Sequence, residues 1–339
     1  MPDEALELRS PGRSATANRL SFSIVIEWEN EVLAEAERGR EMLRRLWAQL
    51  GELARAEPIA ADIVVVYDPA DLDEAVLRAT VPEFGGRLPV GAELRMQAVS
   101  DSAYYGLKNA GAQAAQGDIL IFLDSDVIPE PGWLAGIVRA FERAEVDVVA
   151  GATYVAPEGL YSAAVSLFWF FSSRDPAEGL VEGGGLFANN IAFRRRLFLD
   201  NPFPAMDRFR GPCGVLLRRL RAAGHGVYLQ QSARCSHPPP NGVRHFLCRV
   251  ICEGYDNYMD AADAAGPGSR PPFWLSYWSL HSRLPATWRK IRRGRRQSGA
   301  SLASAGLAVL LAATYYATMV AGELMTRASP AFVRRHFAI

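Results

Sequence analysis

The segment GDILIFLDSDVIPEPGWL, from Gly117 to Leu134, decides the fold of this 339-residue chain. Five apolar residues, Ile119 to Leu123, run directly into Asp124-Ser125-Asp126, and a Pro-Glu-Pro-Gly turn follows. A continuous apolar run that ends at an acidic break is typical of a strand buried on both faces. In open α/β sheets, ligands bind in the crevice beyond the carboxyl ends of the strands. The segment therefore predicts a central strand whose acidic end faces a binding site.

The two carboxylates at this strand end, Asp124 and Asp126, form a candidate metal site. Two like charges this close repel one another unless a positive group lies beside them. Mg²⁺ or Mn²⁺ is the simplest such partner, since both ions prefer carboxylate, phosphate and water oxygens. Asp-Ser-Asp is also a common turn and helix-cap sequence. The tripeptide alone therefore leaves the structural interpretation open.

Strand-like and helix-like segments alternate on both sides of this stretch. Residues 102–116, rich in alanine and glycine, predict a helix that approaches the sheet closely, and residues 133–141 predict an amphipathic helix. Alternating βα units with short links are typical of a doubly wound, mostly parallel sheet covered by helices on both faces. The predicted strands are 22–27, 63–67, 94–99, 119–123 and 147–150. The first two are joined by a helix with one apolar face, made of Leu43, Leu46, Trp47, Leu50 and Leu53.

A resemblance to a known family comes from the flanks of the acidic stretch. Asn-x-Gly-x-x-x-Ala-x-Gly-Asp at 109–118 precedes Phe-Leu-Asp-Ser-Asp at 122–126, and Pro-x-Trp-Leu follows at 131–134. This pattern resembles the family 2 glycosyltransferases of the GT-A fold. The resemblance implies a first half that binds a nucleotide sugar (UDP-, GDP- or dTDP-linked) and a second half that binds the acceptor. It also implies a catalytic Mg²⁺ or Mn²⁺.

The same resemblance implies roles for individual residues. Asp124 would contact the ribose or the metal, and Asp126 would hold the metal against the diphosphate. His237 resembles a third metal ligand, and neutral imidazole suits manganese, although a surface histidine in a Pro-rich turn is the alternative. The nucleotide-binding set implied in this way is Glu27, Asp68, Asn109 and Asp124. Glu27 stands where the family usually has a proline.

The sequence departs from the family where a catalytic base is expected. The usual Phe-Gly-Gly-Glu-Asp reads Phe-Arg-Gly-Pro-Cys-Gly at 209–214. A positioned base typically contributes about 10²–10⁴ in rate, because the acceptor hydroxyl must lose its proton. Asp207 is our preferred substitute, ahead of Glu182 and Cys213. A retaining mechanism, or loss of activity, would remove the need for a base.

Composition excludes some classes of function. Lys plus Arg and Asp plus Glu both number 37, so no global field attracts nucleic acid. The four cysteines, Cys213, Cys235, Cys248 and Cys252, are too few for a secreted disulfide framework and lack zinc-site spacing. These features predict a protein of the reducing cytoplasm.

The C-terminal part predicts contact with a membrane. Residues 161–173 are uncharged but too short to cross a bilayer. Residues 273–297 combine aromatic side chains with six Lys and Arg at 289–296, as interfacial helices do, and residues 297–322 carry no charge. The larger number of basic residues before this span predicts a cytoplasmic catalytic domain. A buried core helix is the alternative for the span.

The sequence as a whole predicts a membrane-attached, metal-dependent glycosyltransferase with a glycan or lipid-linked acceptor and no nucleic-acid partner. Two alternatives stay open: a non-catalytic membrane scaffold that binds nucleotide, and a nucleotidyltransferase, which would require a glycine-rich loop that residues 27–40 do not contain. The predicted segments are a leader (1–20), a GT-A domain (21–245, with halves 21–126 and 127–245), an interfacial segment (246–298), a transmembrane helix (299–322) and a tail (323–339).

Overall fold

The computed structural model describes residues 20–28, 36–70, 72, 75, 77, 79, 88–100, 102–171, 173–266, 271–272 and 275–337. Apart from its last residue, the predicted leader lies outside these residues. The strands are β1 Leu20–Glu27, β2 Ile59–Tyr67, β3 Ala92–Ala98, β4 Ile119–Asp124, β5 Ile128–Pro129, β6 Val148–Val155, β7 Leu180–Glu182, β8 Asn190–Arg194 and β9 Val227–His237. The helices are α1 Ala36–Ala56, α2 Tyr104–Ala114, α3 Trp133–Ala140, α4 Leu160–Phe168, α5 Arg195–Asp200, α6 Gly211–Ala222, α7 Gly242–Ala265, α8 Leu275–Ser298, α9 Leu302–Ala328 and α10 Pro330–Phe337.

The strands form a single sheet in the order β3-β2-β1-β4-β8-β6-β9-β5, and β7 pairs with β9. The long pairings of the first half are parallel, since β1 lies between β2 and β4 and β2 pairs with β3. β8 is antiparallel to both β4 and β6 and so separates the two halves. The prediction of a mostly parallel, doubly wound sheet is confirmed, with β4 at its centre.

Side-chain alternation along β1 separates two cores, one on each face of the sheet. Ile24 and Ile26 pack on one face with the predicted apolar face of α1, whereas Val25 packs on the other face with α2. The close approach predicted for α2 depends on Gly111, because a Cβ there would lie 2.4 Å from Val25 Cγ1. A Cβ at Gly117 would lie 2.2 Å from the Phe22 backbone, so only glycine fits where the chain enters β4.

The C-terminal helices form a separate cluster beside the sheet. α9 packs against α7 and α4, and a Cβ at Gly254 of α7 would lie 2.3 Å from the Met319 carbonyl oxygen of α9. Among the described residues, α9 is the helix long and apolar enough to cross a membrane. It runs from Leu302 to Ala328, further than the predicted 299–322. Its outer face exposes Leu302, Val309, Leu310 and Leu324, and we regard it as a candidate membrane-associated appendage.

Candidate active site

Asp124 ends β4 inside the protein, next to a buried lysine. It is 3% exposed and lies opposite Glu27 in the β1–β4 register. Lys108 Nζ of α2 donates to Asp124 Oδ1 at 2.6 Å and lies 3.9 Å from Glu27. The Tyr104 hydroxyl donates to the same carboxylate at 3.0 Å. The negative charge of Asp124 is thus neutralised and hydrogen-bonded by groups of the protein itself.

Lys108 is fully buried, and its surroundings explain why the ammonium group is tolerated there. Its Nζ lies 4.7 Å from the centre of the Tyr104 ring and 5.8 Å from that of Phe122. Burial of an unpaired charge is very costly, so a lysine at this depth depends on its acidic neighbours. We refer to Glu27, Lys108 and Asp124 as the internal cluster.

Asp126, two residues further on, has a different environment. It is 7% exposed, and its Oδ1 has no hydrogen-bond partner within the part of the chain that the structure describes. Its backbone carbonyl accepts from Arg38 Nε at 2.6 Å, which fixes the loop. Burial, and then the charge of Asp124, raise the pKa of Asp126 above its usual range. A cation at Oδ1 would relieve both effects.

Asp126 and His237 line one cleft of about 470 Å³. Its floor and walls come from the end of β9, the Pro-rich turn after it, and the starts of α4 and α7. Tyr161 of α4 donates through its hydroxyl to the Pro240 carbonyl at 3.0 Å and so holds the two walls together. Arg38, Glu158, His245 and Arg249 also line this cleft.

His237 has the tautomer that a metal ligand requires. Its Nδ1–H donates to the Pro238 carbonyl oxygen at 2.6 Å, so the Nε2 lone pair stays available. Burial, followed by the charge of Arg249, lowers the pKa of His237 well below its usual range and keeps the ring neutral. Asp126 and His237 therefore fit Mg²⁺ or Mn²⁺. The described residues contain no group of three or more His, Cys, Asp and Glu that could hold a metal, so oxygen atoms from water or a ligand would have to complete the shell.

The other predicted nucleotide-binding residues form hydrogen bonds within the protein. Buried Asp68 accepts from the backbone N–H groups of Ala70 and Ser102 at 2.9 and 3.2 Å. Asn109 donates to the Phe203 carbonyl at 2.9 Å and accepts from the Phe203 N–H at 3.1 Å. The donor contacts predicted for both residues stay predictions.

The candidate bases lie in different surroundings. Asp207 is about half exposed and pairs with Arg334 at 2.5 Å, on the surface. Cys213 is buried 3.3 Å from the Tyr105 hydroxyl, and burial raises the pKa of its thiol. Glu182 is exposed on β7. These positions do not favour any of the three as the base.

Sequence reasoning missed Lys108, Arg38, His245 and Arg249. Lys108 directly precedes Asn109 of the motif, so its position was visible but its burial was not. Arg38 and Arg249 come from helices far from β4 in sequence, and only the fold brings them to Asp126. His245 and Arg249 are four residues apart on α7, a spacing that places them on one helix face.

Comparison with known proteins agrees with this architecture. The family described as glycosyl transferase family 2 matches residues 40–200, which include Lys108, Asp124 and Asp126. Residues 40–200, slightly less than half of the chain, are therefore similar to this family. A curated relative, the glucosyl-dolichyl phosphate glucuronosyltransferase of Haloferax volcanii, is 25% identical over 152 residues, which cover 38% of this chain and 46% of the relative. The chain thus spans less than half of that relative's length.

One solved structure shares the overall fold of this chain. The mannosyltransferase PcManGT from Pyrobaculum calidifontis, in complex with GDP-Man and Mn²⁺, superposes with a TM-score of 0.53 at 16% identity. That match covers 93% of this chain and 89% of the other. S. aureus TarS in complex with UDP-GlcNAc gives a TM-score of 0.47 at 13% identity and covers 91% of each chain.

Proposed function

We propose that this chain is a metal-dependent glycosyltransferase that moves a sugar from a nucleotide diphosphate donor to a lipid-linked or polysaccharide acceptor. The observation that carries the proposal is Asp126, a buried carboxylate whose Oδ1 has no hydrogen-bond partner among the described residues and which lines a cleft beside His237. A protein rarely leaves such an atom unsatisfied without a ligand to complete it. The donor diphosphate, together with a cation, is the ligand that suits a glycosyltransferase.

Each residue has a defined task in this proposal. Asp126 and the Nε2 of His237 would hold Mg²⁺ or Mn²⁺. A metal bound there would act as a Lewis acid on the leaving diphosphate and neutralise its developing charge. Arg38 fixes the Asp126 loop through its bonds to the backbone carbonyls of Asp126 and Ser236. Glu27, Asp68, Asn109 and Asp124 remain our candidates for the nucleoside side.

Membrane attachment rests on the C-terminal helices. α9 is long and apolar enough to cross a bilayer, and its outer face carries apolar residues. α8 precedes it with exposed Trp288, Arg289, Arg292 and Arg293. Aromatic and basic side chains suit an interface with anionic lipid, and their position before α9 favours a cytoplasmic catalytic domain. The dolichyl phosphate in the name of the relative supports a lipid-linked acceptor.

The test combines donor binding with turnover. Calorimetric titration of UDP-, GDP- and dTDP-sugars with Mn²⁺ identifies the donor, and release of the nucleotide measures its use. We expect Asp126→Ala to abolish both, whereas Asp200→Asn, at an exposed position of α5, leaves both unchanged. Full donor turnover by Asp126→Ala would refute the proposal.

The non-catalytic scaffold is a second candidate because of the residues at 209–214. Neither Pro212 nor Cys213 can act as a carboxylate base, and Cys213 is buried. A scaffold would bind the nucleotide with Mn²⁺ but release none of it in any acceptor mixture. Turnover that depends on Asp126 excludes this candidate.

A further inference from the structure

A second cleft lies between the end of α8 and the start of α9. Its volume is about 380 Å³, and it shares no lining residue with the cleft of Asp126 and His237. Arg292, Arg295 and Arg296 line it together with apolar and small residues of both helices. We refer to it as the α8–α9 groove. Its lining suits a ligand that is anionic at one end and apolar along the rest.

The arginines of the groove have no acidic counterpart on the helices around them. The sequence contains no Asp or Glu at positions 264–322, and α4, which packs against both α8 and α9, contains none either. Arg295 Nε is buried and has no hydrogen-bond partner within the described ranges. Leu302 is the first residue of α9, so the positive end of the helix dipole also lies at the groove. Buried donors in such a field favour an anion that accepts from them.

The rest of the groove is apolar and open. Trp288, Leu302 and Val309 on its rim are 52%, 74% and 41% exposed. A Cβ at Gly306 would meet nothing within 4 Å, so no side chain fills the space beside this residue. Exposed apolar side chains around an unfilled space, on a helix able to cross a membrane, suit an acyl chain.

Contacts on the inner side hold the two helices in place. The hydroxyl groups of Thr287 in α8 and Tyr316 in α9 form a hydrogen bond of 2.6 Å. Lys290 Nζ donates to the Trp169 carbonyl oxygen and so connects α8 to the residue after α4. Ile291 is buried in the apolar cluster that α9 shares. Because these contacts fix the groove without a ligand, binding would require little reorganisation.

We propose that the α8–α9 groove binds one anionic phospholipid, with its phosphate against the arginines and an acyl chain along α9 between Leu302 and Val309. Guanidinium groups bind phosphate oxygens with paired hydrogen bonds. A soluble phosphate compound would leave the apolar rim uncovered, so we assign the phosphate to a lipid. The inference rests on the membrane attachment in the proposed function and goes beyond it, because it assigns a site for a single lipid rather than a diffuse attraction.

A lipid in this groove would have a consequence for the active site. α8 packs against α4, and the first residues of α4, Leu160 to Ser162, line the cleft of Asp126 and His237. A lipid bound between α8 and α9 would therefore hold this wall of the cleft in a fixed position relative to the membrane surface.

The first test counts the lipids bound to the full-length protein in detergent by native mass spectrometry. The probes are phosphatidylglycerol, phosphatidylcholine and glycerol 3-phosphate. We expect one phosphatidylglycerol per chain at saturation. Phosphatidylcholine should bind at least about tenfold more weakly, since its choline group brings a positive charge to the arginines. Glycerol 3-phosphate should also bind at least about tenfold more weakly, since it has no acyl chain to cover the rim.

The second test separates the site from a diffuse attraction. Arg295→Gln should weaken binding of phosphatidylglycerol at least about tenfold, because it removes a buried donor to the phosphate. Arg293→Gln removes the same charge from an exposed position of α8 outside the groove and is the matched control. At about 0.5 M salt, attraction between exposed charges is largely screened, so the control should change the affinity less than about twofold.

The third test blocks the groove and keeps every arginine. Gly306→Leu places a side chain in the unfilled space, and leucine is a better helix former than glycine, so the variant should fold at least as well as the wild type. We expect it to weaken binding of phosphatidylglycerol at least about tenfold. Ala313→Leu, at an exposed position of α9 outside the groove, adds the same side chain and should leave binding unchanged.

Three results would overturn the inference. Equal losses in Arg295→Gln and Arg293→Gln at high salt would show a diffuse attraction. Unchanged binding of phosphatidylglycerol in folded Gly306→Leu would place the lipid elsewhere. Glycerol 3-phosphate that binds as tightly as phosphatidylglycerol would assign the groove to a soluble anion. Donor binding with Mn²⁺, measured on the same samples, tests the proposed function separately, since none of these positions lines the cleft of Asp126.

Discussion

The two aspartates at the tip of β4 lie two residues apart but have different environments. Asp124 belongs to the internal cluster, where Lys108 and Tyr104 satisfy its carboxylate. Asp126 presents to the cleft an Oδ1 without a hydrogen-bond partner in the described part of the chain. The comparison teaches that the two acids of one Asp-x-Asp motif can have different environments, one paired inside the protein and the other open to a cleft. Substitutions on each side should therefore separate stability from binding.

The largest effect should come from Lys108→Met. Removal of one partner from a buried ion pair typically costs about 3–5 kcal/mol, because the other charge stays buried. Glu27 and Asp124 would then share a dry site without a cation. Urea unfolding should show a loss of this size. A loss below about 1 kcal/mol in the free energy of unfolding would mean that Lys108 does not stabilise the buried charge of Asp124.

Asp126→Asn should act on binding rather than on stability. Because Asp126 is a proposed metal ligand, its replacement should weaken Mn²⁺-dependent donor binding by about a hundredfold. Substitution of residues that only contact metal ligands already weakens metal binding by about 10- to 100-fold. Stability should hold or rise, since the substitution removes a buried charge that Asp124 repels. Calorimetry and thermal unfolding of the same sample measure both quantities. A destabilised variant with normal affinity would reverse the assignment of the two acids.

His237→Gln should produce a smaller loss on the ligand side. Glutamine retains a polar side chain but lacks the imidazole lone pair, so we expect roughly tenfold weaker Mn²⁺ binding. His281→Gln, at an exposed position of α8, provides the matched control. If the two variants bind Mn²⁺ equally well, His237 is a buried structural histidine of the Pro-rich turn.

Tyr104→Phe should have the smallest effect. The change removes the hydroxyl that donates to Asp124 but keeps the ring beside Lys108. Loss of a hydrogen bond to a buried carboxylate costs about 1–3 kcal/mol. We expect the lower end in urea unfolding, because Lys108 still pairs with Asp124, and no change in Mn²⁺ affinity. Reduced Mn²⁺ affinity would indicate that Asp124 also serves the metal.

The sequence predicts those features that depend on residues close together in the chain. β4 and its acidic end follow from one apolar run, and the buried face of α1 follows from its periodicity. The internal cluster does not follow, because the register that places Glu27 opposite Asp124 joins segments almost a hundred residues apart, and Lys108 enters from a third. Asn109 illustrates the same limit, since nothing in its motif indicates that its amide bonds the distant Phe203 backbone. The tautomers of His237 and His245 depend on hydrogen bonds to backbone groups, and no pattern of residues in the sequence reveals these bonds.

The most direct test of the account is the Mn²⁺ titration of wild type, Asp126→Asn and Asp124→Asn, followed by electron paramagnetic resonance in the presence of the nucleotide diphosphate. The account predicts that the wild type binds Mn²⁺, that Asp126→Asn does not, and that Asp124→Asn loses stability but keeps Mn²⁺ binding while it remains folded. Mn²⁺ binding that survives in Asp126→Asn and disappears in folded Asp124→Asn would contradict it.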